Sequence, residues 1–362
     1  MNWEAVDWEM VATNLPTTNL PIYQLPIYHL EGNIRMWEVI GHDWARELLS
    51  RGLRTGRVRH AYLFTGPPQI GKRTLALDFA RALVCQGDNP PCGECQNCQK
   101  VQRGVHPDVQ VIAPSDGTFK IDQVRALQRE AALRPHEAPR KVYVLVDFQQ
   151  ATVEAANALL KTLEEPPEHV VLLLTATEAD LLLPTIVSRC QVLALRPLPG
   201  AVVEEALQHR WGVDTEQARL LSRLCGGRLG WAVEAAQESA ILERRRAYLD
   251  ELVALLEQGR VERMAYAERL SRQPPLVVQE VLETWTTWWR DVLLVATGSR
   301  SEPSNADRIE TLQILAARYG LEEARQAIKE LQEARWRLEH NANLRLTLEV
   351  LLLSLPENKV HW

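Results

Sequence analysis

The sequence predicts an α/β module with a parallel sheet and a P-loop, followed by an all-helical half. Three observations carry this. Apolar, β-branched runs at 61–64, 109–112, 142–146 and 170–174 alternate with helical patterns, the rhythm of a parallel sheet covered on both faces. The run Gly66-Pro-Pro-Gln-Ile-Gly-Lys-Arg-Thr74 lies between the first strand and a helix, the setting a phosphate-binding loop needs. Beyond Pro197 the strand signals fade, and helical periodicities continue to Leu355.

Residues 1–35 repeat Leu-Pro-Ile-Tyr, and their prolines forbid a regular helix. They are expected to form a dispensable or disordered extension, or to reflect a misplaced start, with Met36 as the natural beginning. Next come an amphipathic helix at 44–53, the strand at 61–64, the glycine loop and a helix at 73–84. Helices at 122–133 and 152–165 alternate with the remaining strands. Residues 199–240 read as a small helical unit, and the rest as a helical bundle ending in the apolar helix 344–355 and a short tail. Trp285, Trp288 and Trp289 fall at i, i+3 and i+4, a core or subunit-contact stripe rather than a base-stacking platform.

A chain of 362 residues suits two or three domains. Its 46% hydrophobic and 24% charged residues are ordinary for a globular protein. The net charge of −6, without a basic block, argues against strong autonomous binding of nucleic acid; DNA, as a partner, would be held by an assembly. No run of about eighteen apolar residues occurs, so no membrane span or membrane partner is expected. The amino-terminal residues lack the pattern of a secretory signal. Six cysteines, four of them clustered, suit a reducing cytoplasm and one metal site better than a disulfide framework.

The cluster is Cys92-x-x-Cys95-x-x-Cys98 with Cys85 upstream. Four thiolates at such spacings suit tetrahedral Zn²⁺, and they leave no open position for a substrate, so the metal is structural. Pro90, Pro91 and Gly93 supply the tight turns. The gap of six residues after Cys85 is short, which makes it the least secure of the four ligands.

In a P-loop, backbone N–H groups cradle phosphates, a lysine contacts the terminal ones and the next hydroxyl holds Mg²⁺. Gly66, Gly71 and Lys72 fit this pattern, but Arg73 stands in the hydroxyl position. Thr74 is one residue late, which turns its side chain by roughly 100° on a helix. Lys72 argues for a bound nucleotide and Arg73 against one. The third strand runs into Asp147, where Mg²⁺ would be held through water. Phe148, which cannot accept a proton, follows it.

Taken in order, these motifs are followed by Asn157-Ala-Leu-Leu-Lys-Thr-Leu-Glu-Glu-Pro-Pro167 and Leu183-Pro-Thr-Ile-Val-Ser-Arg-Cys190. The whole set, from Met36 to Pro356, resembles the AAA+ clamp-loader subunits of bacterial DNA polymerase III. The resemblance implies an AAA+ core at 36–197 with its zinc knuckle at 85–98, a helical lid at 198–242 and an oligomerising collar at 243–362. It implies that Arg189 is an arginine finger, acting in trans on the γ-phosphate of a neighbour's ATP. Thr175 or Thr177 would fill the sensor-1 place. Arg228, in Gly226-Gly-Arg-Leu-Gly-Trp231, would be the sensor-2 residue. Gly66, Gly71, Lys72, Thr74, Asp147, Thr177 and Arg228 would line a weak or vestigial nucleotide pocket.

Active members of that family follow the Asp147 position with a glutamate. With Phe148 and Arg73 in place, the resemblance implies a subunit that does not hydrolyse ATP. Its partners would be the tau/gamma motor subunits and the delta subunit, with the sliding clamp and primer-template DNA engaged through the assembly. The rival readings are a hydrolysing tau/gamma-type motor, a P-loop small-molecule kinase, and a zinc-stabilised scaffold in which Arg189 is idle. Cys190 reads as a small buried filler.

Overall fold

A computed structural model describes residues 37–299, 301–340 and 342–357. The extension at 1–35, Met36 and the last five residues lie outside the described residues. The chain divides into two compact units, one up to Leu198 and one from Pro199.

In the first unit, five parallel strands form one sheet: β1 (Ala61–Thr65), β2 (Val109–Ile112), β3 (Lys141–Leu145), β4 (Val170–Ala176) and β5 (Gln191–Ala194). Their spatial order is β2-β3-β4-β1-β5. Leu63 pairs with Leu174 on one side and Val192 on the other. The helices are α1 (Asp43–Arg54), α2 (Lys72–Val84), α3 (Gln96–Gln102), α4 (Ile121–Ala131), α5 (Val153–Glu164) and the single turn α6 (Pro184–Val187).

Side chains alternate across the pleat. Tyr62, Phe64, Val142, Val144, Val171 and Leu173 pack with Leu49 of α1 and Leu75 and Phe79 of α2. Leu63, Tyr143, Leu145, Leu172 and Leu174 pack with Val124 and Leu127 of α4 and Leu159 and Leu163 of α5. With both faces covered, the central strands need no polar residues, which is why they read as unbroken apolar runs.

Two local readings change. The sequence pattern does not reveal β5, because its four residues form an edge strand with only Leu193 buried. The third strand ends at Leu145, before Asp147, which takes a left-handed conformation at φ 50°.

The segment ahead of α1 is tied to α2. The N–H groups of Glu38 and Val39 donate to Asp78 Oδ2 at 2.7 and 2.8 Å, and Arg81 bridges Asp78 and Glu38. His42 reaches the glycine loop, its Nε2 lying 3.0 Å from the Ile70 carbonyl.

The described part of the second unit holds α7 (Gly200–Trp211), α8 (Thr215–Leu224), α9 (Leu229–Gln237), α10 (Ser239–Glu257), α11 (Arg260–Ser271), α12 (Pro275–Ala296), α13 (Ile309–Glu339) and α14 (Leu344–Ser354). α13 breaks at Gly320, whose φ of 68° and ψ of −165° suit a residue without Cβ. Trp285, Trp288 and Trp289 have no exposed surface. They form the centre of a cluster running from Tyr248 to Leu355, and Trp285 Nε1 donates to the Tyr248 carbonyl at 2.9 Å.

Candidate functional site

The cysteines converge from α2's end, the following loop and α3. The Sγ atoms of Cys85, Cys92, Cys95 and Cys98 all lie within 4.8 Å of one another. The Cys92–Cys98 and Cys85–Cys95 sulfurs are 3.9 and 4.0 Å apart. A tetrahedron with Zn–S bonds of about 2.3 Å has edges of about 3.8 Å, so the donor set fits a zinc ion. Cys85 joins the other three despite its short gap.

Backbone amides point at the sulfurs. Gly87 and Cys92 donate to Cys85 Sγ, Cys95 to Cys92 Sγ, and Cys98 to Cys95 Sγ, at 3.3–3.4 Å. Burial opposes ionisation of Cys95, but hydrogen bonds from the Gln86 and Cys98 backbones and from neighbouring thiols bring it down to about 6. Asn97 Nδ2 donates to the Val84 carbonyl at 2.8 Å and fastens the knuckle to α2.

The glycine loop follows β1 directly. Gly66 has φ 142°, and a Cβ there would meet the Leu195 carbonyl oxygen at 2.6 Å; no other residue fits so close to the chain after β5. Gly71, at φ 104°, stands at the N-cap of α2. Lys72 Nζ donates to the carbonyls of Gly66 and Pro67 at 2.7 and 2.9 Å, so its ammonium sits inside the loop. Arg73 occupies the second residue of α2, and Thr74 the third.

β3 and β4 bring the acidic end of the site together. The Asp147 N–H donates to Thr175 Oγ1 at 2.9 Å. Thr175 is buried, whereas Thr177 lies just past β4 and accepts the Gly66 N–H through its carbonyl at 2.9 Å. The Thr175 hydroxyl thus holds the Asp147 backbone, and Thr177 borders the glycine loop. Phe148 is 2% exposed and packs edge-to-face on Phe119.

Arg189 lies on the turn between α6 and β5. Its Nη1 donates to the Thr185 carbonyl at 2.9 Å, and its Nη2 to Glu164 Oε1 at 2.8 Å. Ser188 Oγ donates to the same Thr185 carbonyl at 3.2 Å. The arginine side chain is 34% exposed. Cys190 packs partly buried against the α5 face of the sheet, and burial pushes its thiol up to about 12, in keeping with a filler. Sequence reasoning missed Glu164 as the arginine's partner. The available signal was an acid at a helix end, where the helix dipole disfavours it without a cation nearby.

Arg228 belongs to the second unit. It stands at the N-cap of α9, where Nη1 donates to Glu283 Oε2 of α12 at 2.6 Å and Nε to the Cys225 carbonyl at 3.1 Å.

A parallel sheet ordered β5-β1-β4-β3-β2, with a glycine loop after β1 and an acid after β3, defines an AAA+-type P-loop module. Residues 41–199 match the family model described as DNA polymerase III, delta subunit, and residues 239–357 match its C-terminal counterpart. DNA polymerase III subunit delta' of Bacillus subtilis is 30% identical over 317 residues, covering 86% of this chain and 95% of that protein. Subunit delta' of Pseudomonas aeruginosa is 33% identical over 328 residues, covering 87% and 98%. The tau subunit of Escherichia coli is 36% identical over 174 residues, 48% of this chain and 27% of that protein. The chain belongs to the bacterial DNA polymerase III delta' family of clamp-loader subunits.

Proposed function

We propose that this chain is a delta'-type subunit that does not hydrolyse ATP itself and serves a neighbour's ATP through Arg189. The observation that carries the reading is Phe148, buried against Phe119 at the position where a hydrolysing subunit needs a proton acceptor. Arg73 in place of the Mg²⁺-binding hydroxyl supports it. In this reading the pocket of Gly66, Gly71, Lys72, Thr74, Asp147 and Thr177 is vestigial. Arg189 neutralises charge on the phosphoryl group transferred in the adjacent subunit.

The partners are tau/gamma motor subunits and the delta subunit, in a cytoplasmic assembly that places the sliding clamp on primer-template DNA. A structural zinc is held by Cys85, Cys92, Cys95 and Cys98, and the helices at 198–242 and 243–362 act as lid and collar. The test is ATP turnover by the purified chain alone, then with its organism's other loader subunits. Inactivity alone, with assembly-dependent turnover lost in Arg189→Ala, supports the role; unchanged turnover in that variant refutes the finger. The likeness of the P-loop unit to tau favours a second reading, a hydrolysing motor, and clear turnover by the isolated chain would establish that one.

A further inference from the structure

The guanidinium of Arg189 is held at two points, by the Thr185 carbonyl of its own turn and by the Glu164 carboxylate. The first hold is local, four residues back along the chain. The second crosses from the turn after α6 to α5, and it orients the plane of the group, because a guanidinium bonded at both Nη atoms keeps little rotational freedom. Glu164 is the last residue of α5. A carboxylate at a helix C-terminus is disfavoured by the helix dipole, so its placement is offset by the cation beside it.

Both partners are open to water, with 34% of the arginine side chain and 52% of the glutamate side chain exposed. An exposed pair of this kind contributes little to folding and separates readily. The carboxylate can therefore hold the guanidinium in place in the free subunit and yield when a more highly charged anion arrives.

We propose that Glu164 is a positioning residue for Arg189, presenting the guanidinium in a preset orientation to the phosphate of the neighbouring subunit's nucleotide. The proposal rests on the arginine-finger reading above. Ordering a reacting group beforehand lowers the barrier without strengthening ground-state binding, so the effect falls on kcat and leaves KM for ATP unchanged.

The experiment measures steady-state ATP turnover of the complete loader reconstituted with this chain as wild type, Glu164→Ala, Glu164→Gln, Arg189→Ala and the Glu164→Ala/Arg189→Ala double variant. Glu164→Ala is expected to lower kcat by about three- to tenfold with KM and the melting temperature of the free chain unchanged. Glu164→Gln, which keeps the acceptor oxygen, should recover part of the loss. The double variant should be no worse than Arg189→Ala alone, because the two residues act as one unit. Wild-type or raised turnover in Glu164→Ala, beside an inactive Arg189→Ala, overturns the positioning role and leaves the finger standing. Full turnover in Arg189→Ala removes both.

Discussion

Phe148 stacks edge-to-face on Phe119, the two ring centroids 5.0 Å apart and their planes at 71°. The pair joins the loop after β3 to the start of α4, where the Phe119 N–H donates to the Gln150 carbonyl at 2.9 Å. The residue after Asp147 is thus part of the core. Phe148→Ala should destabilise the chain by about 3–5 kcal/mol, and Phe148→Glu by at least as much, since it buries an unpaired charge. Denaturant unfolding reads this directly. ATP turnover should stay absent in Phe148→Glu, even combined with Arg73→Thr; robust hydrolysis by that double variant would show that the acid can reach the site.

Removal of the proposed zinc should lower the melting temperature of the chain, because thiolate–zinc binding is coupled to the fold of the knuckle. Cys85→Ser and Cys92→Ser should weaken metal retention alike, given that the Cys85 sulfur lies 4.0 Å from that of Cys95. Metal analysis alongside thermal melting checks both. An unchanged melting curve after confirmed loss of metal would contradict the structural role.

Arg263 is buried in the second unit and closes the end of α14. Its guanidinium donates to the carbonyls of Leu255, Leu352, Leu355 and Pro356 at 2.8–3.1 Å. Three of these lie at the end of α14, where helix carbonyls have no partner of their own. Arg263→Met should cost roughly 3 kcal/mol or more, since each orphaned buried carbonyl costs about 1–3 kcal/mol. Hydrogen exchange should quicken first in α14. Unaltered protection there would show that the helix end is held by packing alone.

Asp108 accepts backbone N–H bonds from His136, Glu137 and Ala138 at 2.7–2.9 Å. Burial works against its ionised form, but the three amides more than offset it and hold its carboxyl below the ordinary value. A carboxylate whose folded pKa is depressed contributes stability that is complete above its unfolded pKa, near 3.9, and is lost as pH falls through the lower folded value. Asp108→Asn should therefore lower stability at neutral pH and flatten the loss of stability on acidification below about pH 4. Parallel acid limbs for the two proteins would refute the assignment.

Helices α1, α2, α4, α5 and α14 and the first four strands were legible because each carries its own periodicity, and the central strands carry a run of apolar residues that only double-sided burial explains. β5 was not, since one buried leucine in four residues is no pattern; it becomes a strand because β1 offers it an unpaired edge. The clustering of the cysteines was legible from spacing, although only the folded loop brings Cys85 to the other three. The glycine loop was legible from Gly66, Gly71 and Lys72. The lysine's seat on the Gly66 and Pro67 carbonyls was not, because backbone oxygens carry no signature in a sequence.

By itself the sequence determined the family, through motifs whose order and spacing are local in the chain, and it exposed Arg73 and Phe148 as departures from a hydrolysing site. Tertiary structure alone decided what those residues touch. It set Phe148 against Phe119, Thr175 under the Asp147 backbone, and Glu164 beside Arg189, 25 residues away along the chain. The physical reason is that a motif records which chemical groups are present, whereas a partner is chosen by how strands and helices pack, and that depends on contacts between residues far apart in sequence.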